Sequence, residues 1–166
     1  MNVILFDDQS WENLLPLTFT RPTSEIRIGI LTIKEKWEKH LKTTCSYLTQ
    51  DYLSEKFPIK TDSQNILVNG SVLPDKELVK QIQVLANNQA LVYKNNMIAA
   101  NLTDEKIRDF HYKNIRYFDI IEFRNREIIK MNYPWEIFKY NGRAIKEDFA
   151  LLTENRESET LSATNN

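Results

Sequence analysis

The chain has 166 residues, 42% of them hydrophobic and 27% charged. That is the length of one domain with enough apolar content for a core, which excludes wholesale disorder. The 22 basic and 23 acidic residues leave a net charge of −1, a balance with no electrostatic footprint for nucleic acid or an anionic membrane.

No apolar run approaches the 18 or so residues needed to span a bilayer. The N-terminus, Met1-Asn2-Val3-Ile4-Leu5-Phe6-Asp7-Asp8, lacks the basic start of a signal peptide and meets acid at once. Cys45 is the one cysteine, so neither a disulfide framework nor a cysteine zinc site fits within one chain. His40 and His111 share no metal-ligand spacing. A reducing, cytoplasmic compartment is expected.

In chain order, Val3–Phe6 reads as a buried strand feeding a polar loop, Asp7-Asp8-Gln9-Ser10. Pro16 and Pro22 forbid a regular helix between them, which predicts turns or extended chain. Thr23 or Ser24 can cap a helix carrying Ile26, Ile30, Ile33, Trp37 and Leu41 at helical spacing. Strands follow at Ser46–Thr49 and Ile66–Val68, the latter ended by Asn69-Gly70. Pro74 opens a helix with Leu78, Ile82 and Leu85 on one face. Ala90–Tyr93 and Met97–Ala100 flank Lys94-Asn95-Asn96 and predict a hairpin.

Thr103-Asp104-Glu105 starts a short helix, and Ile115–Phe118 reads as a further strand. Pro134 begins a last helical pattern with Trp135, Phe138, Ile145, Phe149 and Leu152 as apolar positions and Gly142 as a point of bending. Trp135 and Phe138 read as core anchors or as an interface. Residues 1–152 make up the predicted domain, and 153–166 a polar linker or tail. Strands alternating with helices predict an α/β domain with a mostly parallel, mixed sheet flanked by helices.

In such sheets ligands bind beyond the carboxyl ends of strands, so the loop after the first strand is the expected site. Asp7 or Asp8 suits a metal, and Arg21 and Arg27 suit phosphates held bidentately. The plain reading of the same residues is acids capping turns and arginines in surface pairs. Asn69 to Asp75 is a second candidate, whose plain reading is a strand-to-helix turn. Arg108, Lys113, Arg116, Arg124, Arg126 and Lys130 interleave with aromatics. Diluted by acids, they read as a solvated face over core rings and not as a single-strand binding surface. Cys45 reads as a small buried hydrophobe.

The run Leu14-Leu15-Pro16-Leu17-Thr18-Phe19-Thr20-Arg21-Pro22 resembles the signature of sugar-1-phosphate nucleotidyltransferases. The stretches at 5–8, 15–22 and 25–38 resemble one branch in particular. That branch is the N-terminal domain of a Bacteroidetes-type variant UDP-N-acetylglucosamine diphosphorylase joined to a sugar-phosphate acetyltransferase. Val68–Pro74 and Tyr133–Phe138 agree, so the likeness runs to about Leu152. It implies a Rossmann-like nucleotidyltransferase fold and transfer of a nucleotidyl group from a nucleoside triphosphate, UTP, to a sugar 1-phosphate, N-acetylglucosamine 1-phosphate, with release of pyrophosphate. It also implies a magnesium ion (Mg2+) at Asp7 or Asp8, phosphate contacts at Arg21 and Arg27, and a substrate pocket shaped by Leu17, Thr18, Asn69 and Gly70.

The departures are as specific as the match. Asp8-Gln9-Ser10-Trp11-Glu12 replaces the family's glycine-rich loop, whose bare backbone approaches phosphates closely. The family's catalytic arginine falls on Asn13, its signature lysine on Thr23, and its metal-binding acid on Ser71. A nucleotide-sugar sensor without turnover and an assembly scaffold are therefore alternatives. Related proteins carry trimerising left-handed β-helix repeats after this domain, so a homo-oligomer is among the expected partners. The chain stops before any such repeat, and acetyltransferase activity is not expected.

Overall fold

In the computed structural model, residues 1–124, 127–154 and 156–157 are described. The first strand, β1 (Asn2–Phe6), alternates its side chains between two cores. Val3 and Leu5 enter the larger core with Trp37, while Ile4 and Phe6 enter the second with Leu67 and Ala100. A strand buried on both faces must be apolar throughout, which explains the unbroken run Val3–Phe6.

β1 pairs in parallel with β4 (Cys45–Leu48) on one side and with β5 (Gln64–Asn69) on the other. The antiparallel strand β7 (Asn96–Thr103) joins β5 to β6 (Gln89–Tyr93), and β8 (Asp119–Glu122) runs parallel to β6 at the edge. The sheet order is β4-β1-β5-β7-β6-β8, and only β7 runs against the rest. The expected mostly parallel α/β sheet is what the chain forms. The hairpin turn is at Lys94 and Asn95, both at positive φ, where the sequence pointed to the paired asparagines.

Helices α2 (Ile33–Leu41), α3 (Lys76–Gln83) and α5 (Pro134–Thr153) lie on the side of the larger core. The short α4 (Asp104–Ile107), with Phe110, Tyr112, Ile115 and Phe118, covers the other face.

Three predicted elements are corrected. The helix expected from Thr23 or Ser24 begins only at Ile33. Thr23–Glu25 is a single 3-10 turn, and Arg27–Ile28 (β2) and Leu31–Thr32 (β3) form a small hairpin. Gly29 turns that hairpin at a φ of +76°, a conformation glycine adopts without cost. The real helix start is a capping box. The Glu35 N–H donates to the Thr32 hydroxyl at 3.1 Å, and the Thr32 N–H donates to the Glu35 carboxylate at 2.6 Å. The strand expected at Ile115–Phe118 is a 3-10 turn at Ile115–Tyr117, with β8 following it.

The apolar positions of α5 are the third correction. The helix runs unbroken through Gly142 to Thr153, with Trp135, Phe138, Ile145 and Phe149 exposed and only Ala144 and Asp148 fully buried. The polar segment predicted from 153 onward falls for the most part on residues outside the described ones, Asn155 and 158–166.

Charge fastens α5 to the domain beside the packing of Ile137, Tyr140 and Ala144 on the larger core. Lys36 and Asp148 form a buried ion pair, about 5% and 3% exposed. Asp148 also accepts the Ile30 and Leu31 N–H groups at 2.8 and 3.1 Å, and Asn141 accepts the Gly29 N–H at 2.8 Å. A Cβ on Gly29 would lie 2.6 Å from the Asp148 carboxylate, so helix and hairpin meet at bare backbone. Burial pulls the Lys36 ammonium below its usual value even though Asp148 faces it. Removing one partner of such a pair strands the other charge in the interior, at a cost of about 3–5 kcal/mol. Asp148→Ala is accordingly expected to lose that much in chemical denaturation. Glu147→Ala, which breaks only the exposed pair with Arg143, should lose less than about 1 kcal/mol.

Candidate active site at the carboxyl end of the sheet

The chain leaves β1 with β4 on one side of it and β5 on the other. That reversal of strand order opens a crevice beyond the end of β1, where parallel α/β sheets bind ligands. Asp8 stands at its floor, with Asp7 beside it in the chain.

Asp7 ties three loops together. Its N–H donates to the Leu48 carbonyl at 3.0 Å, and its carboxylate accepts the Thr23 N–H at 2.9 Å and the Thr49 hydroxyl at 2.6 Å. Asp8 accepts the Ser10 N–H at 2.9 Å, which starts α1 (Ser10–Asn13), and the Asn69 amide at 2.9 Å. The Lys130 ammonium stands 3.1 Å from the same Asp8 oxygen that Asn69 donates to. Lys130 also donates to the Ser10 hydroxyl and, at 2.7 Å, to the Asn132 side-chain carbonyl.

The two carboxylates titrate oppositely. Burial pushes Asp7 up to about 6, with the charge of Asp8 adding to it and the bonds from Thr49 and Thr23 opposing it. Burial acts on Asp8 as well, but the Lys130 charge, the Asn69 amide and the Ser10 donors outweigh it and hold Asp8 below the ordinary carboxyl value. Asp8 is therefore the first of the pair to ionise, and Asp7 follows only as the pH rises through about 6.

The cleft above these groups has a volume of about 520 Å³, within the range of small-molecule sites. Gln9, Asn13, Asn95, Asn96 and Asn132 supply side-chain amides to its walls, and Lys113 and Lys130 supply positive charge. A smaller cleft of about 200 Å³ adjoins it, sharing Asn96, Lys130 and Asn132.

The sequence-predicted residues divide between places. Asn69 is buried, donating to Asp8 and to the Met97 carbonyl and accepting the Ser71 N–H and hydroxyl. Gly70 closes against β1 through its N–H to the Phe6 carbonyl, 2.8 Å away. Thr18 is fully buried, and its hydroxyl donates to the Trp11 carbonyl at 2.6 Å. It shapes the loop from within and not a pocket wall. Arg21, Arg27 and Leu17 line a separate cleft of about 460 Å³ that shares no lining residue with the one at Asp8. Arg27 there donates to the Ile30 carbonyl and stands 3.6 Å from Glu35.

Lys130 is the residue that sequence reasoning passed over. Arg108, Arg116 and Arg124 of its basic run are exposed, as expected, but Lys130 is turned inward, with its side chain about 14% exposed. Residues 129–131 lie against Ser71–Leu73 through Leu73 N–H to Ile129 O at 3.0 Å and Met131 N–H to Ser71 O at 2.7 Å. That pairing spans nearly sixty residues and leaves no local sequence signal. Arg126 of the same run lies outside the described residues.

A family model for sugar nucleotidyl transferases matches residues 3–157. The chain belongs to that family. The fold of this sugar nucleotidyl transferase domain is shared with a crystal structure described as a glucose-1-phosphate thymidylyltransferase from Bacillus anthracis in complex with a sucrose. The TM-score is 0.53 at 11% identity, over 87% of this chain and 95% of that one. No curated protein sequence matches the chain.

Sugar nucleotidyl transferases imply a divalent metal, and with the Lys130 ammonium in place the oxygens around it are not free to take one. Each oxygen of Asp7 and Asp8 already accepts a hydrogen bond, and an ammonium faces Asp8. Among the described residues no group of three or more His, Cys, Asp or Glu side chains could hold a metal ion. Hard cations such as magnesium require free oxygen ligands.

The position of Asp7 generates a pH prediction. Its folded-state value lies above the ordinary carboxyl value of about 4, so the fold favours its protonated form. The stability it contributes is present in full below about pH 4 and is lost as the pH rises through about 6. Wild-type protein is expected to lose stability relative to Asp7→Asn over that window in thermal melts and to run parallel to it above pH 7. A constant difference throughout rejects the assignment.

Proposed function

We propose that this domain joins a nucleoside triphosphate to a sugar 1-phosphate at the Asp8–Lys130 cleft and releases pyrophosphate. UTP and N-acetylglucosamine 1-phosphate are the proposed pair, as in a UDP-N-acetylglucosamine diphosphorylase, in the reducing cytoplasm that a lone buried cysteine suits. The observation that carries the reading is the cleft itself. It opens at the strand-order reversal of a sugar nucleotidyl transferase fold and combines amides suited to sugar hydroxyls and a pyrimidine base with two ammonium groups suited to phosphate.

The reaction is an in-line displacement. An oxygen of the sugar phosphate attacks the α-phosphorus, a new P–O bond forms as the bond to the bridging oxygen breaks, and the electron pair leaves with pyrophosphate. Little covalent work falls to the protein. Lys130 and Lys113 offset the phosphate charge, Asp8 and Asn132 hold Lys130 in place, and Asn13, Asn95 and Asn96 orient the substrates.

The test is thermal unfolding with a panel of triphosphates and nucleotide sugars, followed by a pyrophosphate-release assay. At 100 times its dissociation constant a ligand adds about 2.7 kcal/mol, several degrees in a domain of this size. Lys130→Ala is expected to lose that shift and to lower turnover by roughly 10²–10³-fold, the usual cost of removing one group that stabilises transition-state charge. If Arg21→Ala and Arg27→Ala abolish the shift while Lys130→Ala keeps it, the site is the other cleft. A shift without pyrophosphate release would make the domain a nucleotide-sugar sensor.

The exposed face of α5 favours a second, compatible role in assembly, with another copy of this chain as the partner. Trp135, Phe138, Gly142, Ile145, Phe149 and Leu152 follow one another at steps of three and four, the spacing of a helix–helix seam. Trp135 and Phe149 are 63% exposed, Phe138 83% and Ile145 42%. At 150–250 Å² per aromatic side chain, the three rings alone offer roughly 400 Å² per copy. With their neighbours a symmetric pair reaches about the 1,000 Å² that specific interfaces require. Gly142 sits mid-stripe with open space where a side chain would stand. Nothing among the described residues requires that glycine, and a bare position there would let a second helix approach closely. Sedimentation equilibrium is expected to show a dimer that Phe138→Glu with Phe149→Glu converts to monomer. A wild-type monomer at all concentrations rejects this role.

A further inference from the structure

The disagreement between the family's metal and the donors present is specific in form. Lys130 is surrounded as a bound cation would be, by oxygens from three separate positions. Asp8 contributes a carboxylate oxygen at 3.1 Å, Asn132 a side-chain carbonyl oxygen at 2.7 Å, and Ser10 its hydroxyl. One anionic and two neutral oxygens in the lining of the cleft make a donor set of the kind that hard cations take. The Lys130 side chain is about 14% exposed and lines both adjoining clefts. The arrangement is also braced from behind. Asn69 donates to Asp8 and is itself held by Ser71 and Met97, while the pairing of 129–131 with 71–73 sets the depth from which the lysine stem reaches inward.

We infer that the Lys130 ammonium occupies the position of a divalent cation in this cleft, so that the site binds nucleotide phosphates with a built-in positive charge and no metal ion. An ammonium and a divalent cation compete for one anionic oxygen set, because placing both there brings like charges together out of water. The substitution is chemically consistent with the rest of the site. Ser71 stands where the family has an acid, and a monovalent ammonium needs only the one carboxylate that Asp8 supplies. A fixed side-chain cation also gives a charge whose strength does not vary with the supply of metal. The chemical class of ligand follows: a phosphate ester or diphosphate in its metal-free form. This last step rests on the nucleotide reading above, whereas the exclusion of metal does not.

The experiment separates the two. Manganese(II) is titrated into the full chain and the free ion is read by electron paramagnetic resonance, with no nucleotide present. Wild-type protein is expected to leave the manganese free. Lys130→Met, checked for a native melt, is expected to take up about one equivalent at the vacated oxygens, and Lys130→Met with Asp8→Asn is expected to lose it. In parallel, the midpoint shift produced by UTP or UDP-N-acetylglucosamine on wild-type protein is compared in EDTA and in magnesium. The apparent affinities should agree within about twofold.

Manganese uptake by wild-type protein that Asp8→Asn abolishes would overturn the inference. A nucleotide shift that appears only with magnesium would also overturn it, as would a Lys130→Met chain that binds no manganese. Absence of any nucleotide shift in either buffer, with the manganese results as expected, would sink the nucleotide reading and leave the cation replacement standing.

Discussion

One carboxylate organises the business end of this domain. Asp8 receives hydrogen bonds or charge from Ser10, Asn69 and Lys130, which belong to the loop after β1, the end of β5 and a segment more than a hundred residues further on. A buried anion must be met by donors or it costs several kcal/mol. The donors it recruits define where the loop turns, how β5 ends and how deeply the 128–132 segment is drawn in. Asn69 serves this anion first. Its amide is divided between Asp8 and the Met97 carbonyl, and its carbonyl is taken by Ser71, so a side chain next to the cleft acts by holding its floor.

A second electrostatic contact does the same work for the outer layer. The helix α5 turns most of its large side chains outward and meets the core through Ile137, Tyr140 and Ala144. It is kept in place by Asp148, which is shared between the Lys36 ammonium and the backbone of the β2–β3 hairpin. Contacts of this kind give geometry more than net stability, because the cost of taking both charges out of water offsets most of their attraction. The helix thus has a defined docking angle while its aromatic face remains open.

The loop from Asp8 to Trp11 spends its backbone donors and its aromatic ring on the domain itself. A glycine-rich loop presents bare N–H groups to an anion. Here the Ser10 N–H is used internally by Asp8, Trp11 packs edge-on against Tyr52, and the Trp11 indole N–H is buried without an acceptor among the described residues. The positive charge beside this loop is that of Lys130, a lysine on a distant segment. Amide side chains take over the polar lining.

Much of this was legible in the sequence, for identifiable reasons. Val3–Phe6 and Ile66–Val68 are apolar on both faces, which only a central strand needs, and the alternation with helical patterns dictates an α/β sheet. The signature Leu15–Pro22 with Asp7-Asp8 marked the family and the loop that carries the cleft. Where local pattern and structure part, tertiary contacts are the common cause. Ile26 and Ile30 fit a helical period, but Gly29 and the Thr32–Glu35 cap start the helix later. Trp135 and Phe138 have the spacing of a buried face, yet which face of α5 is covered was decided by where Asp148 finds its ammonium. Arg21 and Arg27 are cations near the signature, but the backbone carries them to another cleft. The residue types and local periods are properties of the sequence alone. The partnership of Asp8 with Lys130 is not, because it spans 122 positions and exists only once the sheet has brought the two ends of the domain to the same crevice.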